Sequence, residues 1–166
     1  MSLKPYQHMK LEPITYATQL MNGIYNLQLC SNSVNSISID MLNELITVFQ
    51  DINSNRSIKG ILLTSHNENV FSSGLNLVDA ISHMSTVNNT IQLNELIGYS
   101  LTSPLRCQKP VCALITGSCI AGGTILALSC DYVVCSNDTR YASNVVGLTE
   151  LAVGMSIYIY MCVCVC

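Results

Sequence analysis

Two glycine-containing turns carry the groups in this sequence that are best suited to chemistry. One is "NVFSSGLNL", after a short apolar strand ending near Ser65, and the other is "GSCIAGG", after a strand ending near Thr116. Each turn precedes an expected helix, and the first N–H groups of a helix have no partner within it. Two such sets of N–H groups can bind an oxyanion without a charged side chain, because glycine lets a ligand approach the backbone closely. Packing alone is the alternative explanation for each turn.

Other residue types that often do chemistry form no motif here. Ser118 does not occupy the G-x-S-x-G pattern of hydrolases, so serine nucleophilic chemistry is not predicted. The segment "GSCIAGG" departs from G-x-G-x-x-G, which disfavours a dinucleotide site. His66 and His83 border the candidate loops, and we expect both at the surface.

Composition predicts one globular domain, or most of one. The 166 residues are 49% hydrophobic and 10% charged, which suffices for one substantial core, and the net charge of −3 with scattered basic residues disfavours nucleic acid as a partner. Mean hydropathy is high at +0.40, yet no apolar run reaches the length of about 18 residues that a membrane span requires. The surplus apolar surface fits either core strands or burial against other subunits. The opening "MSLKPYQHMK" shows no clear presequence.

Nine cysteines are dispersed in a way that predicts reduced thiols and no metal site. The C-terminal three alternate with valine, a spacing that differs from the paired ligands of zinc sites, and the histidines lie far away in sequence. An odd count without a secretory signal also disfavours a disulfide framework. The other six stand in or beside apolar runs, where a free cysteine acts as a small hydrophobic residue: Cys30, Cys107, Cys112, Cys119, Cys130 and Cys135.

The elements that must position the two turns alternate between strand and helix. A hairpin is expected around Met21-Asn22-Gly23, because Asn-Gly is a strong turn signal. Apolar residues at helical spacing predict a helix from the capping Ser38 to about Asn53. Further helices are predicted at 77–83, 90–101 and 122–129, and strands at "IKGILLTSH", "KPVCALITG" and "YVVCS". This alternation favours an α/β fold around a largely parallel sheet.

Five segments together resemble one known family. They are "VNSISIDMLNEL", "GILLTS", "VFSSGLNL", "GSCIAGGTILALSCDY" and "RYASNVVGLTELAVG". Their order and spacing over roughly residues 11–154 are similar to those of the crotonase (enoyl-CoA hydratase/isomerase) superfamily. The resemblance implies an α/β crotonase-like spiral of ββα units, incomplete at the C-terminus, with residues 1–10 as an extension, 11–155 as the core and 156–166 as a tail outside the family pattern.

The resemblance also implies the site residues. The backbone N–H groups of Ser73 and Gly122 are expected to form the oxyanion site, and Glu150 is expected to be the catalytic base. The hydratases carry a glutamate where this chain has Ile125, which argues against hydration. The expected substrate-binding residues are Ser73, Gly74, Leu75, Asn76, Leu77, Gly122 and Thr149. No metal or separate cofactor is expected, since coenzyme A is part of the substrate.

The implied reaction is isomerisation of 3-enoyl-CoA to 2-trans-enoyl-CoA in the β-oxidation of unsaturated fatty acids, in the mitochondrial matrix. An enoyl-CoA hydratase and a truncated, non-catalytic crotonase-like protein are the alternatives. The family implies a homotrimer, but we expect its trimer-forming C-terminal helices to be missing from this chain, which is therefore expected to be inactive as written. The tail "SIYIYMCVCVC" is typical either of translated dinucleotide repeats or of a β-strand with two apolar faces.

Overall fold

The computed structural model describes residues 15–19, 22–137, 139–142 and 163–165. The helices are α1 (Ile39–Ser54), α2 (Leu77–His83), α3 (Val87–Leu101) and α4 (Gly122–Leu128), with a 3₁₀ turn at Ser103–Arg106. The strands are β1 (Thr15–Gln19), β2 (Ile24–Leu29), β3 (Ser36–Ile37), β4 (Gly60–Ser65), β5 (Val70–Ser72), β6 (Gly74–Leu75), β7 (Val111–Ile115), β8 (Ser118–Ile120), β9 (Tyr132–Cys135), β10 (Arg140–Ala142) and β11 (Val163–Val165).

The strands form a large sheet and two small ones. The large sheet has the order β1-β2-β4-β7-β9-β11, and all of its pairs are parallel except β1 with β2. The second sheet has the order β10-β8-β5, and β3 pairs with β6 in the third. A strand of the large sheet, a strand of a small sheet and a helix therefore follow one another repeatedly. This is the ββα unit of the crotonase-like α/β fold, as predicted.

Local sequence signals account for the hairpin and for α1. Asn22 and Gly23 have φ values of 55° and 83°, the left-handed conformation that a tight Asn-Gly hairpin turn requires. Ser38 caps α1 by accepting a hydrogen bond of 3.2 Å from the Met41 N–H. Both features confirm the predictions. The face of α1 that packs into the core consists of Met41, Leu42, Leu45, Val48, Phe49 and Ile52.

The sequence pattern placed the start of α3 too late and missed the short strands. Thr86 caps α3 by accepting from the Asn89 N–H at 3.2 Å, so the helix begins at Val87, three residues before the predicted start. The first turn has no buried apolar side chain, which is why periodicity did not reveal it. The strands β5, β6 and β8 have two or three residues each and exist only through pairing with distant segments.

Six of the cysteines are free thiols that line the core or its edge, as predicted. Cys119, Cys130 and Cys135 are buried, and Cys30, Cys107 and Cys112 are half-buried. Burial raises the pKa of Cys119 to about 12, and burial likewise raises the pKa of Cys130, because an apolar environment disfavours the thiolate. Within the described part of the chain, no helix has the length and apolar character needed to cross a membrane.

Part of the alternating tail is a strand. β11 pairs in parallel with β9, and Val163 lies opposite Val133. The strand interpretation is therefore confirmed for residues 163–165, while the origin of the tail in translated repeats stays a prediction. The expected domain boundaries at residues 10 and 155 also stay predictions.

Candidate active site

The two glycine turns come into direct contact. Pairing of β5 with β8, in which Val70 lies opposite Ser118, brings the ends of the two strands to the same edge. Immediately beyond these ends, a Cβ on Gly74 would lie 2.9 Å from the Ile120 carbonyl oxygen and 3.2 Å from the Gly122 amide nitrogen. A side chain at Gly74 would thus fill the space between the turns. Its φ of +89° independently favours glycine.

The amide of Leu75 is the one that lies beside Gly122. Asn76 donates its N–H to the Ile37 carbonyl at 2.8 Å, so the amides of β6 alternate and that of Leu75 faces away from β3. A Cβ on Gly122 would lie 3.5 Å from the Leu75 nitrogen. Gly122 is the first residue of α4, where an N–H has no partner within the helix. The contact therefore brings two backbone donors together, those of Leu75 and Gly122.

This arrangement corrects the predicted role of Ser73. The Ser73 N–H donates to the Val34 carbonyl at 3.0 Å and is already used by the loop before β3. The left-handed conformation of Gly74 turns the chain between Ser73 and Leu75, so their amides reach different neighbours. The sequence motif identified the correct segment, but the donor was placed at Ser73, two residues before Leu75.

Close packing explains why the residue after Gly122 is also a glycine, and the residue before Gly122 has a strained backbone. A Cβ on Gly123 would lie 2.7 Å from the Cβ of Ser72, closer than carbon atoms pack, so α4 approaches β5 only because this position lacks a side chain. Ala121 has φ 48° and ψ −113°, an unfavourable conformation for a residue with a side chain. Backbone strain of this kind persists where surrounding packing enforces it, and it often accompanies functional sites.

The Asn76 side chain caps α2 through its Oδ1 atom. It accepts a hydrogen bond of 3.3 Å from the Asp79 N–H at the start of α2. Asp79 in turn accepts from the Ile39 N–H at 2.7 Å through its carboxylate, which joins the starts of α2 and α1. Leu77, at the beginning of α2, is 49% exposed. The spacing of Asn76 and Asp79 is a capping signal that sequence reasoning did not use.

Residues 19–161 match the family described as Enoyl-CoA hydratase/isomerase. This chain belongs to that family. It is 30% identical over 137 residues to human enoyl-CoA delta isomerase 1, mitochondrial, covering 80% of this chain and 42% of the relative. It is 27% identical over 164 residues to delta(3,5)-delta(2,4)-dienoyl-CoA isomerase, mitochondrial, of Dictyostelium discoideum. That match covers 92% of this chain and 53% of the relative. The chain thus spans about half the length of these curated relatives.

Solved structures of the enoyl-CoA hydratase/isomerase family have the same fold. An enoyl-CoA hydratase from Geobacillus kaustophilus superposes with a TM-score of 0.75 at 20% identity, over 84% of this chain and 52% of that one. Human enoyl-CoA hydratase domain-containing protein 3 superposes with a TM-score of 0.71 at 27% identity, over 82% of this chain and 53% of that one.

The other residues singled out in the sequence lie either outside or inside the described part of the chain. Glu150 and Thr149 lie outside the described residues, so their predicted roles are proposals. Ile125 is on α4 and half-buried, and it packs against the core. His66 and His83 are exposed, as predicted. In the described ranges, no group of three or more His, Cys, Asp or Glu residues is arranged to hold a metal ion.

Proposed function

We propose that the protein containing this chain is an enoyl-CoA isomerase that converts 3-enoyl-CoA to 2-trans-enoyl-CoA. The observation that supports the proposal is the adjacency of the Leu75 and Gly122 amides, which would provide two donors for one thioester oxygen. The names of the two curated relatives point to double-bond isomerisation, and both include mitochondrial. We therefore also propose that the protein acts in the mitochondrial matrix, in the β-oxidation of unsaturated fatty acids, and that its substrate is a fatty enoyl-CoA.

The two amides would stabilise the charge that forms during the reaction. Removing a proton from C2 of the substrate moves negative charge onto the thioester oxygen. Donors already aimed at that oxygen need no reorganisation, and each is worth about 2.7–4 kcal/mol of transition-state stabilisation in comparable sites. Leu75 N–H and Gly122 N–H supply these bonds in the proposal, with Leu75 in the place first given to Ser73.

Glu150 is the proposed base. One carboxylate on one face of the acyl chain can remove the C2 proton and return a proton at C4, which shifts the double bond without any separate cofactor. Gly74, Leu75, Asn76, Leu77 and Thr149 are proposed to line the thioester and the adjoining acyl chain.

The half-buried Ile125 favours isomerisation over hydration. Adding water to a double bond requires the water to be held and its proton to be managed, usually by two carboxylates. An aliphatic side chain one helical turn after Gly122 supplies no such group and keeps water from the dienolate. Hydration remains the enzymatic alternative that experiment must test.

The test is an assay of the purified protein with 3-enoyl-CoA and, separately, with 2-trans-enoyl-CoA. Formation of the conjugated 2-enoyl thioester from the first substrate, with little 3-hydroxyacyl-CoA from the second, is the expected result. Efficient hydration of the second substrate would contradict the proposal. Saturable acyl-CoA binding without turnover would instead support the non-catalytic alternative. The homotrimer implied by the family resemblance is a separate proposal that sedimentation velocity can test.

A further inference from the structure

We infer that Ser72 is a positioning residue that sets the relative placement of the Leu75 and Gly122 amides. This inference rests on the proposed function, because it concerns the same pair of donors. Ser72 is completely buried at the end of β5, and its side chain touches both glycine turns.

The hydroxyl of Ser72 holds the first turn. Ser72 Oγ accepts a hydrogen bond of 3.1 Å from the Gly74 N–H and donates one of 2.7 Å to the Asn35 carbonyl oxygen. The first bond occupies the amide directly before that of Leu75, and the second anchors the turn to the buried Asn35. The Leu75 amide is not part of this network, and its nitrogen lies 3.5 Å from the position that a Cβ on Gly122 would occupy.

The same side chain limits the approach of the second turn. The Cβ position of Gly123 is 2.7 Å from Ser72 Cβ and 3.1 Å from Ser72 Oγ. The backbone of α4 therefore packs directly against the Ser72 side chain in the first turn of the helix. Because one buried side chain is bonded to the segment before Leu75 and packed against the residue after Gly122, its shape and its hydrogen bonds together determine the separation of the two donors.

Asn35 extends this support into the large sheet. Its side-chain amide donates to Ser65 Oγ at 2.7 Å and to the Leu29 carbonyl at 3.3 Å, and its Oδ1 accepts from the Ser31 N–H at 2.9 Å. Ser72 is thus tied to the ends of β2 and β4. A network with all of its polar groups satisfied is rigid, which is what aiming two donors at one oxygen requires.

The experiment compares Ser72→Ala with Ser103→Ala in the protein that contains this chain. Ser103 is also buried, and its hydroxyl likewise makes two bonds, donating to the Tyr99 carbonyl and accepting from Arg106, but it lies in the 3₁₀ turn. Three readouts are used: the NMR resonances of the Leu75 and Gly122 amides, the absorption of bound cinnamoyl-CoA, and kcat and KM for 3-enoyl-CoA. Cinnamoyl-CoA is a conjugated thioester whose absorption moves to longer wavelength when its carbonyl oxygen accepts strong hydrogen bonds.

We expect Ser72→Ala to move both amide resonances and to reduce the wavelength shift of cinnamoyl-CoA. Since loss of one well-aimed donor costs about 10²–10³ in kcat, a misaimed pair should lower kcat by about 10-fold or more with little change in KM. Ser103→Ala should leave all three readouts at parent values. Ser72→Cys, which keeps a weak donor and acceptor, should fall between the parent and Ser72→Ala, and it carries the test if the alanine variant does not fold.

Unchanged Leu75 and Gly122 resonances in Ser72→Ala, or equal changes in Ser103→Ala, would overturn the inference. The amide readout needs no substrate, so it separates this inference from the proposed function. The proposed function fails if the parent protein neither shifts the cinnamoyl-CoA absorption nor isomerises 3-enoyl-CoA. The positioning role still stands in that case if Ser72→Ala, and not Ser103→Ala, moves the Leu75 and Gly122 amide resonances.

Discussion

The Cβ that Gly74 lacks would lie 3.2 Å from the amide nitrogen of Gly122. Two turns that are far apart in sequence thus share one small space, and a hydrogen atom in place of a side chain keeps that space open. A ligand oxygen that accepts from Leu75 and Gly122 would need the same opening.

Gly74→Ala should lower activity by more than its loss of stability explains. The added methyl group would crowd the Ile120 carbonyl and the Gly122 amide, and alanine is unfavourable at φ +89° by about 1–2 kcal/mol. We expect kcat/KM for 3-enoyl-CoA to fall by about 10²-fold or more, as for loss of an oxyanion donor. Gly23→Ala is the matched control, because Gly23 also has a positive φ of +83° and a Cβ there would be equally crowded. Gly23 directly precedes β2 and is not part of either glycine turn. Comparable loss of activity in both variants would attribute the effect to folding alone.

Glu150→Gln should separate binding from catalysis. Glutamine keeps the size of the side chain but cannot accept the C2 proton, so isomerisation should fall by about 10²-fold or more. Acyl-CoA affinity, measured by calorimetry, should stay within about threefold, since the proposed base contributes chiefly to the transition state. Glu95→Gln, which changes an exposed carboxylate on α3, should behave as the parent. Full turnover by Glu150→Gln would mean that the base is another residue.

Asn76 should respond to substitution as a helix cap. Asn76→Ala removes the acceptor for the Asp79 N–H, and loss of an N-cap costs about 1 kcal/mol of unfolding free energy. Asn76→Asp keeps the acceptor and adds a negative charge at the helix start, so its stability should equal or exceed that of the parent. Urea unfolding at pH 7 measures both. A loss in Asn76→Asp as large as that in Asn76→Ala would rule out the capping role.

The buried thiol of Cys119 should weaken the fold at alkaline pH. Its pKa is raised to about 12 by burial, from an ordinary value of 9.0. The unfolded state therefore loses this proton first, so the thiol's stabilising contribution is complete below pH 9 and declines as the pH rises from 9 toward 12. Urea unfolding across this range should show a shallower decline in Cys119→Ala than in the parent. Equal slopes would show that Cys119 is not the responsible group.

The elements predicted well are those whose signals are local. The bounds of α2 agree with the prediction, and the structure adds the reason, a cap by Asn76 whose partner is three residues away. The Asn22-Gly23 turn needs only the backbone preferences of its own residues. In both cases the interactions that decide the conformation lie within a few residues, so the sequence pattern contains them.

The contact between "FSSGLNL" and "IAGGT" was expected from the resemblance, but the choice of donor was not correct. Ser73 and Leu75 flank the same glycine, and the motif alone does not distinguish their amides. The Val34 carbonyl takes the Ser73 N–H because the loop before β3 folds against β5. That carbonyl is distant in sequence, and its position depends on the pairing of β3 with β6.

By itself, the sequence determined the α/β class, the main helices, the hairpin and the two glycine turns, because propensity, capping and periodicity act over a few residues. Only the tertiary structure decided that the Leu75 amide nitrogen lies beside Gly122, that Ser72 contacts both turns and that the Asn76 side chain caps α2. The first two depend on distances between backbones brought together by sheet pairing. Ser73 and Leu75 are two residues apart, and the left-handed conformation of Gly74 between them gives their amides different directions, which composition and spacing do not record.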